Sequence, residues 1–215
     1  MPILLVVSAP SGAGKTTLCN QLVKRHEKLV YTISHTTRTP RPGEVDGREY
    51  HFVSHAIFDA MREAGEFLEW AEVHGNLYGT ARTSVLDALA AGNDVLVDVD
   101  IQGAASLRVA PGLAPITVFV LPPSMEVLEQ RLRARAQDSD EVIARRMVNA
   151  VREIAAADDF DYWVVNGDLD VAHTALESIL FVRSGRSTDY AACDFEVQLR
   201  RGTERRQLIR KTFGV

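Results

Sequence analysis

The stretch Ala9-Pro10-Ser11-Gly12-Ala13-Gly14-Lys15-Thr16 carries the residue types needed to hold phosphate groups. Glycines at 12 and 14 let backbone N–H groups approach an anion closely, and Lys15 and Thr16 add an ammonium and a hydroxyl. In the P-loop template the lysine reaches the terminal phosphate oxygens and the hydroxyl ligates Mg²⁺. That template opens on glycine where this chain has Ala9, a small departure wherever φ stays negative. Ser11, Gly12, Ala13, Gly14, Lys15, Thr16 and Thr17 are the candidate nucleotide-phosphate contacts, with Thr16 as the metal ligand.

A second cationic segment follows. Ser34-His35-Thr36-Thr37-Arg38-Thr39-Pro40-Arg41-Pro42-Gly43-Glu44 places two arginines three apart in a loop stiffened by proline. Guanidinium forks match a phosphate dianion. Tyr50, after Asp46-Gly47-Arg48-Glu49, and Tyr78, before Gly79-Thr80, each add a phenol close to glycine. Three other groups carry less. His51 and His55 lack a third ligand at zinc spacing, Asp158-Asp159-Phe160-Asp161 reads as a solvated turn, and Cys19 reads as an inert packed thiol.

These residues need a frame, and the hydrophobic pattern supplies one. Ile3 to Ser8 is a β-branched and aliphatic run that suits a strand buried on both faces. Helical spacing follows up to His26, so the phosphate loop falls between a strand and a helix. From Tyr31 to about Thr80 the chain turns to strand formers broken by Pro40, Pro42, Gly43 and Gly47, with one helix near Ala56 to Ala64. A helix from Ser84 to Ala91, strands at Val95–Asp100 and Ile116–Leu121, and Arg-rich helices at Met125–Ala136 and Asp140–Ala157 come next. A strand at Tyr162–Val165 and a helix from Asp168 to Val182 close the pattern. Alternating strands and helices predict an α/β fold: a parallel sheet with helices on both faces, carrying a small mixed β insertion and a helical pair.

Composition narrows the class. The 215 residues are 46% hydrophobic and 25% charged, with a net charge of -5, which excludes a disordered chain and a chain that is basic throughout to bind nucleic acid. Two cysteines are too few for a disulfide framework, and no run is long and apolar enough to cross a membrane. The expectation is a soluble, cytoplasmic protein without nucleic-acid or membrane partners. From Arg183 onward eight basic and four acidic residues make the tail +4, which leaves -9 for the body. That extension, 183–215, is read as solvated or as a surface for homo-oligomer formation.

Together these motifs resemble the guanylate kinase family, bacterial members most closely. The resemblance runs from about Ile3 to Val182. It rests on Ser8 to Lys15, Ser34 to Glu44, Phe67-Leu68-Glu69-Trp70-Ala71, Tyr78-Gly79-Thr80, Asp98-Val99-Asp100-Ile101-Gln102-Gly103, Arg131 to Arg135 and Val165-Asn166. It implies a P-loop core (1–31, 81–122 and 152–182), a GMP-binding insertion at about 32–80 and a lid at about 123–151. The implied reaction moves the γ-phosphoryl group of ATP to GMP, with Mg²⁺ as cofactor and these two nucleotides as partners.

Carried onto this chain, the resemblance makes Arg38, Arg41, Tyr50 and Tyr78 the holders of the GMP phosphate. Ser34, Glu69 and Thr80 would read the guanine, with Asp100 beside them. Asp98 would stand at a strand end by the metal, Arg131, Arg135 and Arg146 in the lid, and Asn166 near the adenine. Lys15, Arg38, Asp98 and the lid arginines would form the catalytic set, the cations among them stabilising the transferring group. The residues alone reach nucleotide phosphates and no further. A phosphate-reading interaction module, or a P-loop kinase for another nucleotide or a small metabolite, uses many of the same parts.

Overall fold

The computed structural model describes residues 1–73, 75–134, 139–186, 207 and 210–214. The chain enters through β1 (Leu4–Ser8), α1 (Lys15–Arg25) and β2 (Leu29–Tyr31). It continues with β3 (His35–Thr36), β4 (His51–Phe52), α2 (His55–Glu63), β5 (Phe67–Val73) and β6 (Asn76–Ala81). Then come α3 (Arg82–Ala90), β7 (Asp94–Asp98), α4 (Ile101–Arg108) and β8 (Ile116–Leu121). Helices α5 (Met125–Ala134) and α6 (Asp140–Ala155), a 3₁₀ turn (Ala156–Asp159), β9 (Tyr162–Val165) and α7 (Leu169–Ser184) complete it.

Five strands form a parallel sheet in the order β2-β7-β1-β8-β9. The alternation within β1 explains why both faces are covered. Leu5 and Val7 pack on one side with Leu18 and Leu22 of α1 and Leu176 and Ile179 of α7. Leu4 and Val6 pack on the other with Val85, Leu107, Ile154 and Trp163. Every residue of β1 is buried, the apolar Leu4–Val7 and the terminal Ser8 alike, as expected of a central parallel strand covered on both faces. The second sheet, β4-β3-β6-β5, is mixed: β3 runs parallel to β4 and antiparallel to β6. Helices α5 and α6 have a small core of their own, Leu128, Leu132, Ile143 and Ala150.

The structure differs from the sequence expectations in three places. The strand expected at Val95–Asp100 stops at Asp98, and Asp100 instead caps α4, a helix the periodicity did not reveal. Its IQGAASLR sequence is too rich in small residues to show an apolar stripe. Asp161 is more than a solvated turn residue: half-buried, its carboxylate accepts from the Thr117 N–H at 2.9 Å and the Thr117 hydroxyl at 2.8 Å, tying the start of β9 to β8. The described parts of the extension also return to the body. Arg186 pairs with the buried Asp94, Arg210 donates to Asp158 at 3.0 Å, and Phe213 is 8% exposed within the core cluster of Ile154 and Phe160. Apolar burial outweighs solvation at that position.

Candidate active site

The phosphate loop bridges β1 and α1, as its motif requires, and its two glycines are there for different neighbours. Gly12 and Gly14 have φ of 96° and 89°, the left-handed region that disfavours a side chain. A Cβ on Gly12 would lie 2.9 Å from Leu132 Cδ2 of α5, and one on Gly14 would strike the Asn166 amide. Helix α1 begins without a side-chain cap, which leaves its N-terminus suited to an anion. Ala9, the departure from the template, packs against the core instead.

Asp98, at the carboxyl end of β7, gathers three residues. Its carboxylate pairs with the Lys15 ammonium, accepts from the Tyr31 phenol at 3.0 Å and lies 3.5 Å from the Thr16 hydroxyl. Lys15 also donates to the Val99 carbonyl at 2.9 Å. Burial alone would lower the Lys15 pKa, but the adjacent Asp98 carboxylate more than offsets it, so the group stays cationic. Burial and Asp98 together push the Tyr31 phenol far up, so it serves as a neutral donor. The Cys19 thiol is fully buried and is likewise raised by burial, then by Asp98. That leaves it protonated and inert.

The helical pair reaches the loop through Arg131, which donates to the Asn166 carbonyl at 2.9 Å and to the Ala13 carbonyl at 3.4 Å. Asn166 Nδ2 donates to the same Ala13 oxygen at 2.7 Å. Asn166 is thus aimed at the loop backbone. Glu153 of α6 is raised by burial, partly offset by the Ser11 N–H and Lys15, which places it beside the loop as well. Arg146 is half-buried on α6, and Arg135 lies outside the described residues.

The loop between β3 and β4 of the second sheet holds Arg38 and Arg41. Arg38 donates to Glu44 Oε1 at 2.8 Å and to the Thr39 carbonyl at 2.8 Å, and its guanidinium lies 5.5 Å from the centre of the Tyr50 ring. Glu44 Oε2 accepts from the Arg41 N–H at 2.7 Å, so one carboxylate sets the positions of both arginines. Burial would raise the Glu44 pKa, but the Arg38 and Arg41 donors outweigh it and keep it ionised. The Tyr50 and Tyr78 rings are 5.8 Å apart, edge to face. Ser34 is half-buried, and its carbonyl accepts from the His51 N–H at 2.9 Å.

Glu69 and Thr80 face each other across β5 and β6. Glu69 is 6% exposed and Thr80 fully buried, and the Thr80 hydroxyl donates to Glu69 Oε1 at 2.5 Å. Burial pushes Glu69 up to about 7; the Thr80 hydrogen bond opposes the rise and the nearby Asp100 adds to it. Asp100 holds α4 by accepting from the Gly103 N–H at 2.8 Å.

Sequence reasoning named most of these side chains but missed Tyr31, Glu44, Glu153 and Gly103 as parts of the site. Glu44 and Gly103 lay within motifs the sequence offered, Ser34 to Glu44 and Asp98 to Gly103, without a role being assigned to them, whereas Tyr31 and Glu153 carried no local signal.

A loop of backbone donors at a strand-to-helix turn, a lysine paired with a strand-end aspartate, and a separate arginine-tyrosine cluster define a phosphotransferase of the P-loop class. The family model described as guanylate kinase matches residues 1–183. A guanylate kinase of Nitratidesulfovibrio vulgaris is 51% identical over 176 residues, covering 82% of this chain and 84% of the relative. One from Rhodopseudomonas palustris strain HaA2 is 54% identical over 178 residues, covering 83% of this chain and 81% of the relative. The crystal structure of guanylate kinase from Anaplasma phagocytophilum superposes with a TM-score of 0.70 at 30% identity, covering 100% of this chain and 96% of that one. The chain belongs to the guanylate kinase family of ATP:GMP phosphotransferases. Both the family and the α/β fold are those expected from the sequence.

Proposed function

We propose that the chain transfers the γ-phosphoryl group of ATP to GMP, giving GDP and ADP, with the roles divided between two adjoining centres. One observation carries this reading: Asp98, the last residue of β7, and Asp100, the cap of α4, stand two residues apart and belong one to each centre. Asp98 gathers Lys15, Thr16 and Tyr31, while Asp100 acts on Glu69. Tyr50, immediately before β4, lies within electrostatic reach of both Asp98 and Lys15, which supports a shared space for the two centres.

In this scheme residues 11–17 hold the ATP phosphates, and Arg38, Arg41, Tyr50 and Tyr78 hold the GMP phosphate. Glu69, Thr80 and Ser34, with Asp100 beside them, read the guanine. The acceptor phosphate oxygen is already ionised near neutral pH, so no general base is required. The task is to bring two polyanions together and stabilise the charge between them. Lys15 would supply positive charge on the ATP side and Arg38 on the GMP side. Arg131, with Arg135 and Arg146, would act from the lid formed by about 123–151.

The Thr16 hydroxyl and the Asp98 carboxylate are hard oxygen donors 3.5 Å apart, a pair that suits Mg²⁺. When bound there, the ion neutralises phosphate charge. No helix among the described residues is long and apolar enough to cross a membrane. We place the enzyme in the cytoplasm, with the nucleotides it would use.

A coupled assay of ADP production with Mg–ATP tests the function. Turnover with GMP, well above that with AMP, CMP, UMP or shikimate, is the expected result. Absence of ATP binding would instead make the chain a non-catalytic phosphate-reading module.

A further inference from the structure

Gly103 lies in the first turn of α4, and its own backbone does not need glycine. It is absent from the residues with positive φ, and alanine is the better helix former. The reason lies in its surroundings. A Cβ at this position would stand 2.5 Å from Glu69 Oε2, 3.1 Å from Glu69 Cδ and 3.0 Å from Val99 Cβ. The Glu69 carboxylate cannot simply swing aside, because Oε1 is held by the Thr80 hydroxyl at 2.5 Å in a buried pair.

We propose that Gly103 is a specificity-determining position: its missing side chain provides the room in which the Glu69 carboxylate sits to read the guanine edge. This rests on Glu69 being the base reader. Gly103 then serves both acids of the centre. Its bare Cα admits Glu69, and its N–H fixes Asp100 at 2.8 Å. A methyl group here displaces the carboxylate from the geometry that two adjacent guanine donors require, and discrimination by a buried polar group depends on that geometry. Gly103 acts through Glu69 and is a positioning residue.

A double-mutant cycle on the full chain tests this, using Gly103→Ala, Glu69→Ala and the pair. The readouts are kcat and KM for GMP, IMP and ATP, with melting temperature. Gly103→Ala should raise the GMP KM roughly tenfold, the scale of coupling between residues in contact. The ATP KM should stay within about twofold and the preference for GMP over IMP should fall. In the Glu69→Ala background the same substitution should change GMP KM by less than about twofold, because the group it displaces is gone. An equal penalty in both backgrounds would show that the methyl group acts on Val99 and α4 alone, and would overturn the proposal. If Gly103→Ala alone does not fold, recovered folding in the double variant supports the Glu69 contact, and failure in both overturns it. If Glu69→Ala leaves the base preference untouched, the assignment of Glu69 itself is wrong, an outcome read separately from the cycle.

Discussion

The side-chain amide of Asn166, at the end of β9, donates to the carbonyl oxygen of Ala13 at 2.7 Å across 153 residues of sequence. Arg131 reaches the same oxygen at 3.4 Å and the Asn166 carbonyl at 2.9 Å. The phosphate loop is therefore braced from outside by β9 and α5. Asn166→Ala removes one brace and leaves room over Gly14. The expected result is a several-fold rise in ATP KM, little change in GMP KM, and a stability loss of about 1 kcal/mol, the usual worth of such a bond. Steady-state kinetics and urea unfolding measure both.

Lys15→Ala removes the cation that Asp98 and the Val99 carbonyl orient. We expect a folded protein with kcat reduced on the order of 10²-fold or more, the cost of deleting one donor to developing charge. Near-normal turnover in a folded variant would discard the assigned role.

For Arg38 and Arg41 the expectation is a raised GMP KM with the ATP KM almost unchanged. Glu44 refines it. Because Glu44 holds the Arg38 guanidinium and the Arg41 N–H, Glu44→Ala should reproduce a milder form of the same phenotype. An effect confined to ATP would put the loop on the wrong substrate.

The pH dependence follows from Glu69. Its folded pKa of about 7 stands above its ordinary 4.5, so the folded protein keeps a proton that the unfolded chain releases. Stability from this group is full below about 4.5, falls as pH rises to about 7, and is level above, a change of about 3 kcal/mol. Glu69→Gln should abolish that slope and melt higher than the wild type at pH 8 but not at pH 4. Guanine donors favour the carboxylate form, so GMP affinity should strengthen through pH 7 in the wild type. Glu69→Gln retains only the part due to GMP phosphate ionisation, and identical pH profiles would remove the assignment.

Removal of Mg²⁺ with a chelator should abolish turnover. Thr16→Ala should raise the Mg²⁺ concentration needed for half-maximal rate, while Thr16→Ser, which keeps the hydroxyl, should not. An unchanged Mg²⁺ requirement in Thr16→Ala would exclude Thr16 as a ligand.

The contrast between Lys15 and Tyr31 shows what a sequence reveals here. Lys15 belongs to eight contiguous residues whose order is itself the signal, so it is legible without any tertiary knowledge. Tyr31 reaches Asp98 only because β2 pairs with β7 in a register that aligns Tyr31 with Leu96. No local pattern encodes a partner 67 residues away. Four of the five core strands are legible because apolar and β-branched residues cluster in them, as in Ile116–Leu121, but the three-residue β2 is too short to stand out. Glycines with positive φ, such as Gly14, announce a turn. Gly103 sits inside a helix for the sake of a neighbour from another sheet, and its meaning is invisible until β5 is packed against α4.

The order β2-β7-β1-β8-β9 also governs how the chain is made. β1 is synthesised almost first, yet its two neighbours are β7, beginning at Asp94, and β8, beginning at Ile116. At typical elongation rates of about 5–20 residues per second, Leu4–Ser8 waits roughly 4–20 s for its first partner to be made. Throughout that interval an uncharged aliphatic strand destined for the centre of the sheet has no native pairing, a segment of the kind that seeks other chains. Newly made chains are thus most exposed to aggregation, and most in need of a holding chaperone, before β7 and β8 are available to enclose the strand that leads into the phosphate loop.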